Sequence, residues 1–364
     1  MKILILSWRD IKHPACGGAE IYTYEISKRL AQKGHKVTWF SAKTPKQKVA
    51  EQIEAINFIR RGSFLTVHAW ALYLYLTKWR RQFDVVIDQI HGLPFFTPLY
   101  VKEKKVAFIC EIAGPIWFRE WPFPISFVGQ IVENLYFRIY RNTPFITISQ
   151  STKDDLKKRG GKNINIIHPG ANSPPDPISY PKEKELTLIS LGRLTPMKRI
   201  EHTIQAFSMA MANFPQAKLW IVGRGKKTYE NKLRKLTEKL KLSDKVIFWG
   251  YISEQRKWEL LQKAWALLST SIKEGWGIVV IEANSVGTPA ITYHAPGLKE
   301  SVRNKETGLL TTQNTPEGLA KTIEYFISNK QLRQRLSENA RTWSRNFSWD
   351  KAADKFGEIL RQKC

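Results

Sequence analysis

The chain has 364 residues, 43% hydrophobic and 25% charged. This composition excludes a disordered or low-complexity protein and suits two domains of roughly 150–180 residues. Its formal net charge of +26 is spread over both halves, which indicates an anionic partner such as a nucleic acid, an anionic membrane surface or a phosphorylated substrate. The thirteen tryptophans favour a membrane interface, because indole has an apolar body and a polar edge.

The cysteines and the apolar runs indicate the cellular compartment in which the protein works. Cys16, Cys110 and Cys364 form an odd set without C-x-x-C spacing, so the sequence predicts a reducing compartment rather than disulfides or a zinc site. The opening apolar run is too short for a signal peptide, and residues 64–77 fall short of the roughly 20 residues that span a bilayer. We therefore expect a cytoplasmic protein without a transmembrane segment.

The first half of the chain alternates strand and helix patterns. Strands at 2–7 and 36–41, joined by an amphipathic helix at 19–32, predict a βαβ unit. Further apolar runs at 84–87, 105–110 and 144–149 continue the alternation, which is typical of a parallel sheet with helices on both faces.

A proline-rich stretch at 173–177 interrupts this pattern, and a second alternation begins at residue 186. Its predicted strands lie at 186–191, 218–222, 245–249, 264–269 and 289–293, and its helices at 200–212, 226–239, 253–263 and 278–285. The predicted fold class is α/β, with two doubly wound, Rossmann-like domains facing a central cleft and binding ligands at the carboxyl ends of their strands.

Two cations follow the first strand of the second alternation. Arg193 and Lys198 stand between a strand end and a helix start, where both would project into the cleft. Arginine can bind two phosphate oxygens at once, lysine acts as a mobile point charge, and a helix N-terminus adds its dipole. The segment predicts a phosphate site, and the alternative is a solvated basic turn.

A glycine-rich turn precedes the predicted helix 278–285. Gly275 and Gly277 leave backbone N–H groups open to phosphate or to sugar hydroxyls. Glu282, about one turn into the helix, suits a ribose diol, whereas Glu274 on the loop suits a sugar. The alternative is two surface carboxylates near a helix start.

The order of these segments resembles that of the retaining glycosyltransferases of family four, also called group 1, which have the GT-B fold. The resemblance covers essentially the whole chain. It rests on Gly17-Gly18-Ala19-Glu20, Gly192-Arg193 with Lys198, Gly223-Arg224-Gly225, residues 246–251, residues 274–282 and residues 296–300.

The resemblance implies a role for each matched residue. Arg193 and Lys198 would bind the donor diphosphate, with Glu274 completing the catalytic set at the transferred sugar. Glu282 would bind the ribose. Further donor contacts would come from Gly17, Gly18, Tyr251, Gly275, Trp276, Gly277 and Ile278. The Gly17-Gly18 pair lacks the G-x-G-x-x-G spacing, so a bound NAD is not expected.

The proline-rich stretch sets the predicted domain boundary, and the resemblance implies the role of each domain. They are an acceptor-binding domain, a linker, a nucleotide-sugar-binding domain and a C-terminal helix that packs back on the first domain, at residues 1–170, 171–185, 186–345 and 346–364.

The acceptor side departs from the family pattern. Family members commonly carry a histidine near the end of an N-terminal-domain strand, and here Cys110 beside Glu111 occupies that place. His91, after the preceding strand, is a substitute. A structural role is the alternative for a lone histidine.

Two aromatic segments favour a membrane. Residues 64–76 are apolar and aromatic, and a second such segment covers residues 115–127. The cations flanking the first segment are Arg60, Arg61, Lys78, Arg80 and Arg81. A lipid-linked acceptor and peripheral binding to the anionic inner membrane face would explain both segments. The alternative is core-facing helices and a packed loop.

The predicted activity is transfer of a hexose-type sugar, with retention, from a UDP- or GDP-linked donor to a lipid-linked or polysaccharide-precursor acceptor. No Asp-x-Asp motif occurs, so protein cations are expected to replace a divalent ion, and no permanently bound cofactor is predicted. Glu274 is not assigned as a covalent nucleophile. The alternatives are an epimerase or phosphorylase on the same scaffold, or a nucleic-acid-binding protein, although no zinc-finger or RNP-type motif is present.

Overall fold

The computed structural model describes residues 1–120, 122–172, 174 and 180–362. Three features of the sequence predictions lie outside these residues: Trp121 of the second aromatic segment, most of the proline-rich stretch, and Cys364. The chain divides into two compact units. The first unit is Met1–Gly170 together with the segment from Ser348 onward, and the second unit is Ala171–Phe347.

The first unit is built on an eight-stranded sheet in the order β3-β4-β2-β1-β5-β6-β7-β8. Its strands are β1 Lys2–Leu6, β2 Lys36–Ser41, β3 Ala50–Ile53, β4 Ile56–Arg60, β5 Val85–Gln89, β6 Lys104–Ile109, β7 Phe145–Thr147 and β8 Ile164–Ile166. Every neighbouring pair is parallel except the β3–β4 hairpin. The central strands are buried along almost their whole length, because helices cover both faces of the sheet.

The helices of the first unit include one from the C-terminus. They are α1 Gly18–Gln32, α2 Val67–Leu74, α3 Thr97–Tyr100, α4 Trp117–Glu120, α5 Ile125–Tyr136, α6 Gln150–Lys158 and α14 Trp349–Arg361. Helix α14 packs on α1, where Arg29 Nε lies 2.7 Å from Asp350 Oδ1. The Phe356 ring also meets Phe108 edge-on.

The second unit has a six-stranded, all-parallel sheet in the order β11-β10-β9-β12-β13-β14. Its strands are β9 Thr187–Leu191, β10 Lys218–Val222, β11 Val246–Gly250, β12 Ala266–Ser269, β13 Ala290–Thr292 and β14 Gly308–Leu310. Its helices are α7 Ile200–Ala210, α8 Lys227–Lys239, α9 Glu254–Lys263, α10 Ile278–Ser285, α11 Leu298–Ser301, α12 Pro316–Ser328 and α13 Lys330–Ser344. The prediction of two parallel-sheet α/β domains is confirmed.

Each sheet has a point where its strand order reverses. In the first unit, β2 and β5 lie on opposite sides of β1, and in the second, β10 and β12 flank β9. The loops that leave neighbouring strands at such a switch point diverge to opposite faces of the sheet and open a crevice between them. The carboxyl ends of β1 and β5, and those of β9 and β12, are therefore the places to look for a ligand site.

Two of the membrane signals in the sequence proved wrong. Arg60, at the end of β4, is fully buried between Asp10 and Glu51, so it cannot contact a lipid headgroup. The tryptophan count does not indicate a membrane surface, because side chains such as Trp39 and Trp220 lie in the cores. No helix within the described residues is both long and apolar enough to cross a bilayer.

Candidate functional site

The switch point of the second sheet joins the loops after β9 and β12. The Ile272 N–H donates to the Met197 carbonyl at 2.9 Å. The Thr270 hydroxyl lies 2.8 Å from the Lys198 carbonyl and 2.9 Å from that of Arg199. Hydrogen bonds to backbone carbonyls thus join the two loops. Side chains that extend from these loops share one site.

Lys198 and Glu274 form an ion pair across these loops. The Ser271 hydroxyl donates to the same carboxylate oxygen at 2.6 Å, and both charged side chains are largely buried. Arg193, after β9, is exposed, and its side chain has no hydrogen bond or ion pair with any residue that the structure describes. The site therefore holds one cation placed by a carboxylate and one available to bind an anion.

Glycine at position 297 is required for the position of Glu274. Gly297 has a φ of +81°, and a Cβ there would lie 2.2 Å from the Glu274 carbonyl oxygen. The Glu274 N–H donates to the Pro296 carbonyl at 3.0 Å. A side chain at 297 would therefore displace the backbone that presents Glu274.

The N-terminus of α10 opens beside these residues in the chain. Gly277 is the N-cap residue, with a φ of +94°, and no side chain within the described residues caps the helix. The first amides of a helix carry a partial positive charge, so this terminus favours an anion. Of the neighbouring predicted residues, Trp276 is buried, and its ring packs on Phe347.

Glu282 lies one turn into α10 and is almost fully buried. Lys257 on α9 donates to its Oε1 at 2.9 Å and lies 2.7 Å from the exposed Glu254 carboxylate. Burial raises the pKa of Glu282, and Lys257 opposes that change. Sequence reasoning missed Lys257, because nothing in the local pattern of α9 distinguishes it from a solvent-exposed lysine.

The matched segment at residues 246–251, which includes the predicted donor contact Tyr251, is only partly exposed. The Trp249 ring meets Trp220 edge-on at 5.9 Å between centroids and packs against the core of the unit, whereas Tyr251 is 79% exposed. Gly223 has a φ of +132°, and a Cβ there would lie 1.8 Å from the Gly192 carbonyl oxygen. Glycine at 223 thus allows the strand ends of β9 and β10 to approach each other closely.

A second cluster lies at the switch point of the first sheet. Arg9, after β1, contacts Glu20 at 2.8 Å and His91 Nε2 at 3.1 Å, and both Arg9 and Glu20 are buried. Because a guanidinium has no acceptor, the hydrogen bond between Arg9 and His91 requires Nε2 to accept. Gly17, the N-cap residue of α1, donates its N–H to Glu20 at 2.8 Å. The sequence predictions did not include Arg9. Glu20, at the third position of α1, follows a capping-box pattern, and this is the local signal that could have indicated the cluster.

The structure separates the acceptor-side candidates. His91 is partly exposed beside Arg9, whereas Cys110 at the end of β6 is buried. Burial raises the pKa of the Cys110 thiol well above its usual value, and the negative charges of Glu111 and Glu20 raise it further. Cys110 is therefore a protonated packing residue and unsuited to act as a base at neutral pH.

Two family models match successive parts of the chain. Residues 16–173 match "Glycosyltransferase Family 4", and residues 176–343 match "Glycosyl transferases group 1". A glycosyltransferase of Haemophilus influenzae is 24% identical over 360 residues, covering 95% of this chain and 97% of its own length.

Solved structures show the same fold at low identity. Sucrose-phosphate synthase from Thermosynechococcus elongatus superposes with a TM-score of 0.84 at 22% identity, covering 99% of this chain and 98% of its own. Anabaena HepE, solved in complex with UDP-glucose, gives a TM-score of 0.77 at 20% identity, covering 99% of each chain. Since the two family models together account for most of the chain, the protein belongs to the family 4, group 1 glycosyltransferases and is a glycosyltransferase with the GT-B fold.

Proposed function

We propose that this enzyme transfers a hexose-type sugar, with retention of configuration and without a divalent ion, from a nucleoside diphosphate sugar that carries UDP or GDP. The observation that carries the proposal is the Lys198–Glu274 ion pair at the switch point of the second sheet. A cation and a carboxylate in contact there suit a donor whose diphosphate and sugar are adjacent. Anabaena HepE, with the same fold, was solved with UDP-glucose, which supports this donor class.

The leaving diphosphate is the part of the donor that needs positive charge. Arg193 is exposed and can bind two phosphate oxygens at once, while Lys198 can turn from Glu274 to a third oxygen. The uncapped N-terminus of α10 adds backbone N–H donors. These groups stabilise the charge that develops as the glycosidic bond breaks, which is the task of a divalent ion in metal-dependent transferases.

The two glutamates have different tasks in this proposal. Glu282 accepts hydrogen bonds from the ribose hydroxyls, and Lys257, which donates to its carboxylate, opposes the rise in pKa that burial causes. Glu274 positions the transferred sugar by accepting from its hydroxyls. Glu274 is not a covalent nucleophile in this proposal. The leaving phosphate takes the proton of the acceptor hydroxyl on the face from which the phosphate departs, so no covalent intermediate is needed.

For the acceptor, we propose a lipid-linked or polysaccharide-precursor molecule used at the inner face of a membrane. The segment around α2 exposes Leu65, Tyr73 and Leu76, whose exposed fractions are 83%, 54% and 56%. The flanking Lys78 and Arg80 are exposed as well. We further propose that His91, held by Arg9, contacts the acceptor hydroxyl.

A donor panel tests the proposed activity. UDP-glucose, UDP-N-acetylglucosamine and GDP-mannose are added to the protein in the presence of EDTA, and thermal unfolding and donor hydrolysis are followed. One donor is expected to raise the melting temperature and to be hydrolysed slowly, with the α-anomer released first and detected by NMR. Loss of activity in EDTA, or release of the β-anomer, would contradict the proposal.

A matched pair of lysine variants sharpens this test. Lys198→Met is expected to abolish donor stabilisation, because it removes the cation placed by Glu274. Lys239→Met, on the exposed side of α8, changes the net charge equally and should behave as wild type. Equal effects of the two variants would mean that Lys198 is not part of the donor site.

A further inference from the structure

Helix α5 in the first unit exposes its apolar side to the solvent, which is the reverse of the usual orientation of a helix in a globular protein. Most of its exposed residues are aliphatic or aromatic, whereas its buried residues are Ser126, Glu133 and Tyr136. The exposed apolar side chains, which are 37% to 54% accessible, are Ile125, Phe127, Val128, Ile131, Val132 and Leu135. The buried side carries Ser126 and Glu133, which are only 2% and 1% exposed.

A buried carboxylate holds the helix in this orientation. Glu133 accepts hydrogen bonds from the N–H groups of Ala113 and Gly114 at 2.9 and 2.7 Å, and from the Trp117 indole at 3.2 Å. Turning the apolar face inwards would expose these donors and break all three bonds, each of them to a charged group. The apolar surface is therefore built into the fold.

A basic cleft lies at the C-terminal end of the same helix. Among the residues that the structure describes, its lining contains no aspartate or glutamate, and its cationic side chains are Arg138, Arg141, Lys157, Arg159 and Lys162. Arg159 connects the cleft to α5, because its Nε donates to Asn134 Oδ1 at 3.2 Å and its guanidinium lies over the Phe137 ring. Helix α6 also ends there, and the negative end of its dipole stabilises the cationic side chains that line the cleft.

We propose that the α5 face and the basic cleft form one binding surface for an anionic phospholipid bilayer. The apolar side chains enter the boundary between headgroups and acyl chains, and the cleft binds lipid phosphate groups. An apolar face about three turns long, with a cluster of cations at its end, matches an anionic bilayer. A nucleic acid would use the cations and leave the apolar face exposed to water.

This inference deepens the proposed function, since it names the element that brings the enzyme to a lipid-linked acceptor. The α5 surface is separate from the α2 segment, because α2 follows β4 in the chain and α5 follows β6. Binding of the α5 surface to a bilayer requires no donor. Membrane binding and donor hydrolysis can therefore fail independently of each other.

Vesicle co-sedimentation tests the surface. The full-length protein is mixed with vesicles of phosphatidylcholine alone, or with about one third phosphatidylglycerol. Wild type is expected to bind the anionic vesicles. Arg138→Gln/Arg141→Gln should bind them about 25-fold more weakly, since each removed charge near the surface costs about fivefold. Val128→Asp/Ile131→Asp should lose binding even where the cleft is intact.

The control variants distinguish binding at this surface from a general effect of net charge. Lys235→Gln/Lys239→Gln on α8 removes the same charge and should bind vesicles as wild type does. All variants alter exposed side chains, so melting temperature and donor hydrolysis in solution should stay unchanged. Equal vesicle binding by the cleft variant and the α8 control would overturn the proposal. It would also fall if inorganic phosphate stabilised wild type and not the cleft variant while vesicle binding was equal, because the cleft would then be a site for free phosphate.

Discussion

Removing the charge of Glu274 should separate donor binding from sugar transfer. Glu274→Gln keeps the shape of the side chain and an oxygen that can accept from Ser271, but it cancels the ion pair with Lys198. Lys198 is then free to bind phosphate, and the negative charge beside the diphosphate is gone. We expect the variant to bind UDP more tightly than wild type and to transfer sugar more slowly.

The size of the effect follows from the burial of the pair. The Glu274 carboxylate and a donor phosphate charge placed about 6 Å from it would repel each other by about 3 kcal/mol at an effective dielectric constant of about 20. The Lys198 and Glu274 side chains are 20% and 14% exposed, so solvent and salt screen part of this energy. A net gain of about 1–2 kcal/mol corresponds to roughly 5- to 30-fold tighter UDP binding. Misplacement of the sugar should lower kcat by about a hundredfold.

Calorimetric titration with UDP and a transfer or hydrolysis assay measure the two effects separately. Glu238→Gln, an exposed position on α8, is the matched control and should change neither. If Glu274→Gln bound UDP no more tightly than wild type, the electrostatic reasoning would be refuted. If its turnover were unchanged, the role of Glu274 at the sugar would be refuted.

Three further predictions concern single residues. Glu282→Gln should weaken UDP binding by at least about tenfold, because hydrogen bonds to charged groups contribute about 1.5–3 kcal/mol. The affinity of this variant for inorganic diphosphate, measured by calorimetry, should stay unchanged. If that affinity fell together with the affinity for UDP, Glu282 would not be a ribose-binding residue. Gly297→Ala should lower Tm by roughly 5–10 °C and abolish transfer, because its Cβ would overlap the Glu274 carbonyl at a φ of +81°. A thermally stable, active variant would show that the turn can relax. Burial, together with the charge of Arg341, lowers the pKa of Lys182 to about 7, so the unfolded chain binds more protons than the folded one above that pH. Wild type should therefore gain about 1 kcal/mol per pH unit over Lys182→Met between pH 7 and 9 in denaturant titrations, whereas a constant difference would contradict this.

The sequence by itself determined the alternation of strands and helices in both halves of the chain. Helix and strand periods are local, so the predicted strand at 218–222 and helix at 278–285 match β10 and α10. The sequence also placed Arg193, Lys198 and Glu274 after strand ends. Parallel strands bring their carboxyl ends to one edge, and the structure shows Lys198 and Glu274 in contact there.

Only the tertiary structure decided which charges are paired and which faces are buried. Lys257 reaches Glu282 because α9 and α10 are neighbours in the fold, although 25 positions separate the two residues. Arg60 reads as a surface cation in the sequence, yet it is paired with Glu51 of the adjoining strand β3 and with Asp10, which the sheet order brings to the end of β4. The orientation of α5 likewise depends on Glu133 meeting backbone donors from a preceding loop. Most of these pairings join residues that are far apart in the chain, and a local sequence pattern carries no information about such contacts.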